Sequence, residues 1–180
     1  MHYQPERTTL PDAGIFEDQI YAIKILASYL PEGVSLYVKE HPAQFAKYKT
    51  YLYKSKSYYT EINKLKSVKL INVDYNQYDL IDNAIAIFTI NGSSGFEAIV
   101  RNKPTFWFSN PWYSGIRANT LNDVNNLRDF IKNCMEGKGV ISFNQEKIVS
   151  SLFLGYDHGF TISKKSLEYL SNVIKTELKK

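Results

Sequence analysis

"IAIFTINGSSGFEAIVRNKPTFWF", residues 85–108, sets an apolar run, a small-residue turn, an apolar helix and a second apolar run end to end. An uninterrupted run such as Ile85 to Ile90 suits a strand covered on both faces, the setting of a parallel sheet. Gly92 to Gly95 break it, "GFEAIVRN" continues as a helix, and "KPTFWF" returns as a strand. Strand, helix and strand in so short a span make one turn of a parallel sheet with helical crossovers.

The same alternation extends in both directions. Upstream, Phe16, Ile20, Ile23 and Ala27 fall at helical spacing, and Pro31 with Gly33 stops that helix before Leu30 can be followed by another turn. "VSLYVKEHP" reads as a strand over 34–39 closed by His41-Pro42, and "VKLINV" as a short strand. Between them lies a Tyr- and Lys-rich stretch of one or two helices with a break near Ser55 to Ser57; "NQYDLIDNA" is a short helix. Downstream, "NPWYSGI" is a loop and "LNDVNNLRDFIKNCMEG" a helix stopped by Gly137, with further helices expected near 145–154 and 163–179. The expected fold is a single Rossmann-like α/β domain over 1–180, a parallel sheet with helices on both faces.

Bulk properties narrow the function. With 180 residues and 44% hydrophobic content, one well-buried domain is expected. The net charge of +4 is too small an excess to argue for nucleic acid, and the lysines between 39 and 69 read as a solvated face. One cysteine, Cys134, rules out an intrachain disulfide and any multi-cysteine zinc site, fits a reducing compartment, and reads as a buried helix residue. No run of about 18 apolar residues is present to span a membrane.

In parallel α/β sheets, ligands bind beyond the carboxyl ends of the strands. That selects "EHPAQ", "NGSSG", "SNPWYSG" and, if residues 1 to 3 end a strand, "YQPERTT", all on one expected rim. Helix starts carry unpaired N–H groups and partial positive charge, so Gly92, Ser93, Ser94 and Gly95 suit a phosphate cradle. The same residues also fit a capping box, Ser94-Gly95-Phe96-Glu97, in which Ser94 and Glu97 satisfy each other's backbone donors. Glu97 can accept two ribose hydroxyls. His41, with Pro42 fixing extended geometry before it, can meet a phosphate or a base edge. Gln4, Glu6 and Arg7 share one loop, where Arg7 can pair with a phosphate or carboxylate and Glu6 can bind a sugar hydroxyl or a base. Trp112 and Tyr113 can stack on a ligand, form a domain interface, or be buried. No metal cluster, dinucleotide fingerprint, Walker motif or serine nucleophile elbow is present, so neither cofactor nor metal is expected.

Taken in order, "QPERTTLPDAG", "LYVKEHP" and "TINGSSGFEAIVRNKPTFWF" resemble the capsule polysaccharide biosynthesis family of bacterial glycosyltransferases, which includes β-Kdo transferases. More distantly they are similar to bacterial sialyltransferases, which share His-Pro and Ser-Ser/Thr motifs for CMP-sugars. The likeness runs from about Gln4 to Tyr113. It implies the C-terminal, donor-binding half of a two-domain GT-B enzyme. It also implies His41 and Pro42 at the nucleotide phosphate or base, Ser93 and Ser94 at the phosphate, Glu97 at the ribose and Glu6 facing the donor. The catalytic acid or base is then expected in an N-terminal domain or partner subunit, with Glu6 the candidate within this chain. The implied partners are a CMP-activated sugar such as CMP-Kdo and a glycan or glycolipid acceptor. The implied setting is the cytoplasm, including the inner face of the membrane. Two other readings fit these residues: a CDP-glycerol-type glycerophosphotransferase, and a non-catalytic nucleotide-fold module that docks onto a partner.

Overall fold

The computed structural model describes residues 1–2, 4, 12–46, 53–116, 124–139, 168 and 171–172. The chain divides into two units, Met1–Gln77 and Tyr78–Lys180. Each contributes one parallel strand pair with helices, and the class is the expected Rossmann-like α/β.

In the first unit, a 3-10 turn over Gly14–Glu17 precedes helix α1, Gln19–Tyr29. The two are separate because Asp18 leaves helical geometry, and its carboxylate accepts the Ile20 N–H at 3.0 Å as an N-cap. The apolar spacing runs straight across Asp18, so the periodicity alone merges both segments into one helix. Strand β1, Leu36–Lys39, leads to the short helix α2, Ala43–Ala46. Helix α3, Lys56–Asn63, begins at the expected break, with Ser55 extended at its N-terminus, and leads into strand β2, Val68–Ile71. The parallel register aligns Leu36 with Val68 and Val38 with Leu70. Ile23, Val38, Ile62 and Val68 form the core that joins α1, β1, α3 and β2. His2 is held by a side chain instead of a strand: it donates to Gln19 Oε1 at 3.0 Å and accepts from Gln19 Nε2 at 3.1 Å.

In the second unit, α4 (Gln77–Asn83), strand β3 (Ile87–Thr89), α5 (Ser93–Val100), strand β4 (Thr105–Trp107) and α6 (Leu127–Met135) follow in order. β3 and β4 are parallel, with Phe88 opposite Phe106. All of β4 is buried because it is covered on both faces. On one face Trp107 joins Phe96, Ile99 and Val100 of α5 together with Tyr113 and Ile116. On the other, Phe106 and Phe88 lie 5.4 Å and 5.8 Å from the Phe130 ring of α6. Cys134 is buried in α6, and Gly137, at φ 69°, ends the helix where expected.

The "RNKP" segment locks α5 to its neighbour. Asn102 takes the left-handed conformation, φ 58°, that closes a helix, and the Lys103 N–H returns to the Ala98 carbonyl at 2.9 Å. Lys103 Nζ then donates to the Asp82 and Ala84 carbonyls at the end of α4, at 2.6 Å and 3.1 Å. Arg101 reaches both Asp82 carboxylate oxygens, at 2.8 Å and 3.1 Å, with its guanidinium 4.7 Å from the centre of the Tyr78 ring.

The helices expected near 145–154 and 163–179 lie outside the described residues, apart from Glu168, Ser171 and Asn172, which are helical.

Candidate functional site

The turn between β3 and α5 is built around Gly92. Its backbone is extended, φ −76° and ψ 154°, and it is the N-cap of α5, with Ser93 as the first helical residue. The capping box expected from Ser94 and Glu97 is therefore not the device that starts this helix. With Gly92 as the cap, Ser94 is already inside the first turn and Glu97 lies beyond the third position that a capping box requires. The Gly92 N–H is taken instead by Thr89 Oγ1 at 3.1 Å, and its carbonyl accepts from the Gly95 N–H at 3.0 Å.

The Gly92 carbonyl also accepts the Tyr113 hydroxyl at 2.6 Å. Tyr113 is fully buried and reaches back from the loop after β4, because parallel pairing puts the ends of β3 and β4 at the same edge. Its ring packs against Trp107, Trp112 and Phe96, at 5.8, 5.0 and 6.0 Å between centroids. A Cβ on Gly95 would collide with the Tyr113 hydroxyl, so Gly95 answers to the tyrosine above it. Trp112 is half-buried, 4.9 Å from the Phe96 ring. The pair is thus mainly core.

What the turn shows to solvent is narrow. Ser93 is exposed and Ser94 half-buried, whereas Gly95 to Val100 are all buried, Glu97 included at 3% exposure. Among the described residues, the turn has no side-chain cap, and neither serine hydroxyl is engaged by another residue.

In the first unit the "KEHP" segment ends β1. His41 and Pro42 are exposed. His41 Nδ1 accepts the Ala43 N–H at 3.1 Å, which in the neutral ring assigns the proton to Nε2. Behind this loop sits Glu40, 5% exposed, whose carboxylate receives Lys54 Nζ at 3.0 Å on each oxygen. Oε1 also accepts the His41 N–H at 2.7 Å, and Oε2 the Tyr59 hydroxyl at 2.9 Å. Burial above all, then the Glu40 charge and the bond to it, pushes the Tyr59 phenol up, so it stays a donor. The Lys54 side chain is fully buried and donates as well to the His2 carbonyl. This corrects the expectation of a solvated face for the lysines of 39–69 at this one position. Gln4 is half-buried and lies near the same loop: its N–H donates to Gln44 Oε1 at 2.8 Å and its side chain to the Glu17 carbonyl at 2.9 Å.

Glu6 and Arg7 lie outside the described residues. Within the second unit the structure brings Gly92, Ser93, Ser94 and Gly95 to one strand end under Tyr113. Within the first it brings Gln4, Glu40, His41 and Pro42 around the end of β1. Sequence reading missed Glu40, Lys54, Tyr59 and the clamp by Tyr113; Glu40 was within the quoted motif, but its partners are distant in the chain. Among the described residues no group of three or more His, Cys, Asp or Glu side chains is placed to hold a metal ion. None of the described helices is long and apolar enough to cross a membrane.

Comparison with known proteins places these features in a family. The model of the family described as "Capsule polysaccharide biosynthesis protein" matches residues 15–144, a stretch that takes in both the "KEHP" and "GSSG" segments. Two relatives are the capsule polysaccharide modification proteins LipA of Neisseria meningitidis serogroup B and of serogroup A. Each is 30% identical over 80 residues, 44% of this chain and 10% of the relative, so the chain covers a small part of the curated proteins it matches. No solved structure gives a significant match.

Proposed function

Since the chain belongs to the capsule polysaccharide biosynthesis protein family, we infer that it carries the donor-binding part of a glycosyltransferase acting on a CMP-activated sugar such as CMP-Kdo. One observation carries the reading: α5 begins at the end of a parallel strand with exposed Ser93 and half-buried Ser94 in its first turn, neither hydroxyl spent on capping. N–H groups of that turn and the two hydroxyls suit a phosphate.

The chemistry is consistent with such a cradle. During sugar transfer, negative charge gathers on the departing nucleotide phosphate while the anomeric carbon becomes electron-poor. Fixed donors that meet the leaving oxygen stabilise this state, and deleting one costs about 2.7–4 kcal/mol in well-characterised enzymes. In this reading Ser93 and Ser94 are phosphate contacts of the second unit, and His41 is a phosphate or base contact of the first, each taken on the geometry of its own unit. Glu97, buried one turn deeper, serves the ribose only where the sugar reaches into the turn. The reaction is metal-independent, with the catalytic acid or base on another domain or a partner subunit, or on Glu6. The acceptor is a glycan or glycolipid at the cytoplasmic side of the membrane.

Calorimetric titration of the chain with CMP, CDP, UMP, UDP and CDP-glycerol tests this. Preference for CMP is expected. Preference for CDP-glycerol would transfer the site to glycerophosphate chemistry, and no binding of any of the five to folded protein would sink the donor-site reading.

A further inference from the structure

Glu40 is the residue on which the His41-Pro42 loop is built. Three donors from three parts of the chain make four hydrogen bonds to its buried carboxylate: Lys54 Nζ on both oxygens at 3.0 Å, the Tyr59 hydroxyl at 2.9 Å and the His41 N–H at 2.7 Å. Lys54 comes from the segment ahead of α3, Tyr59 from α3 itself, and both flank the end of β1. A buried ion pair is a weak source of stability, because apolar residues of like volume often replace one without loss. What an apolar pair could not do is accept the amide of the next residue. That amide belongs to His41, whose ring in turn accepts the Ala43 N–H through Nδ1 at 3.1 Å. Oxygen Oε1, the His41 backbone and the His41 imidazole thus form one chain of hydrogen bonds leading from the buried interior to the exposed ring.

We propose that Glu40, held in place by Lys54 and Tyr59, is a positioning residue. It fixes the backbone of His41 so that the imidazole keeps Nδ1 on Ala43 and presents its exposed ring to an anionic ligand group, here the phosphate of a nucleotide. The ligand part rests on the donor-site reading above; the positioning part stands on the geometry of the loop alone.

Two double variants separate the roles. Glu40→Gln with Lys54→Met removes both buried charges but leaves an amide oxygen for the His41 N–H. Glu40→Leu with Lys54→Met removes the acceptor too. Each variant of the 180-residue chain is read by amide hydrogen exchange at His41 and Ala43 without ligand, and by CMP calorimetry. The Gln/Met variant is expected to keep both amides protected and to hold CMP within about threefold of the parent, a change smaller than one lost hydrogen bond. The Leu/Met variant is expected to exchange both amides about tenfold faster and to weaken CMP about tenfold, the effect of one lost charge-assisted bond.

Equal exchange and equal affinity in the two folded variants would overturn the proposal. Faster exchange in the Leu/Met variant, with no CMP bound even by the parent, would uphold the positioning and sink the donor site. If the Leu/Met variant does not fold, Tyr59→Phe carries the test. Removing that one donor is expected to speed Ala43 exchange about threefold or more, and unchanged exchange there would overturn the proposal.

Discussion

The Tyr113 hydroxyl stands where a side chain on Gly95 would have to go: a Cβ there would lie 2.1 Å from the hydroxyl oxygen and 2.9 Å from Thr89 Cγ2. Tyr113 cannot retreat without losing its 2.6 Å bond to the Gly92 carbonyl and its place in the aromatic core. Gly95→Ala is therefore expected to destabilise the second unit by about 1–3 kcal/mol through overpacking. Tyr113→Phe alone should cost about 1 kcal/mol for the lost hydrogen bond. Combined, the two should cost less than their sum, because the phenylalanine removes the closest atom. Thermal melts of the three variants measure this, and an additive result would mean that the turn yields in some other way.

Ser93→Ala separates folding from binding at the same turn. Its hydroxyl is exposed and caps nothing, so stability should change by no more than about 0.5 kcal/mol. If it meets a phosphate, the loss of a hydrogen bond to a charged group should weaken CMP by about tenfold or more. Melting and calorimetry on the same preparation give both numbers, and unchanged affinity would remove Ser93 from the site.

Arg101 and Asp82 differ in exposure, 5% and 34% of the side chain, and so should respond unequally to loss of the partner. Asp82→Ala leaves a guanidinium buried against the Tyr78 ring and is expected to cost about 2–3 kcal/mol, at or below the usual range for a fully buried pair because Asp82 is partly in water. Arg101→Met leaves only a partly hydrated carboxylate and should cost less. Urea midpoints for the two variants test the order; the reverse order would mean that packing of the arginine stem outweighs its charge.

Alkaline stability follows from the phenols beside Glu40. Burial first, then the Glu40 charge, raises both Tyr58 and Tyr59 above the ordinary 10.0. Each therefore holds its proton in the folded state at pH values where the unfolded chain has released it. Their contribution is whole below pH 10 and is lost as pH rises beyond it. Chemical denaturation between pH 9 and 11.5 should show the parent losing stability with a steeper slope than Tyr58→Phe or Tyr59→Phe. Parallel slopes would mean that neither phenol titrates differently on unfolding.

The strands, the order of the helices and the parallel pairing were readable from the chain because apolar runs and Gly or Pro stops are local signals. "KPTFWF" holds β4, which is covered on both faces as such a run implies, whereas "IAIFTI" is covered less than its apolar run implies: β3 is half-buried and Ile85 is exposed. Starts of helices were less readable. Ser94 with Glu97 satisfied a sequence rule for capping, but the chain turns two residues earlier than needed for it, at Gly92. Asp18 was a usable cap signal hidden inside a continuous apolar spacing. Least readable were contacts between distant residues. Lys54 looked like one more surface lysine because Glu40, which explains its burial, lies 14 residues away. Tyr113 looked like a loop aromatic because its partner Gly92 is 21 residues away.

Helix α5 faces water only through its first turn, and from Gly95 to Val100 every residue is committed to the interior. The segment therefore divides into two parts under different physical constraint. Changes from position 95 onward are filtered by whether the unit folds at all, whereas Ser93 and Ser94 can be exchanged at little structural cost. The polar chemistry shown at the turn can thus vary at those two positions, while Tyr113 and the aromatic core beneath keep the backbone of the turn unchanged.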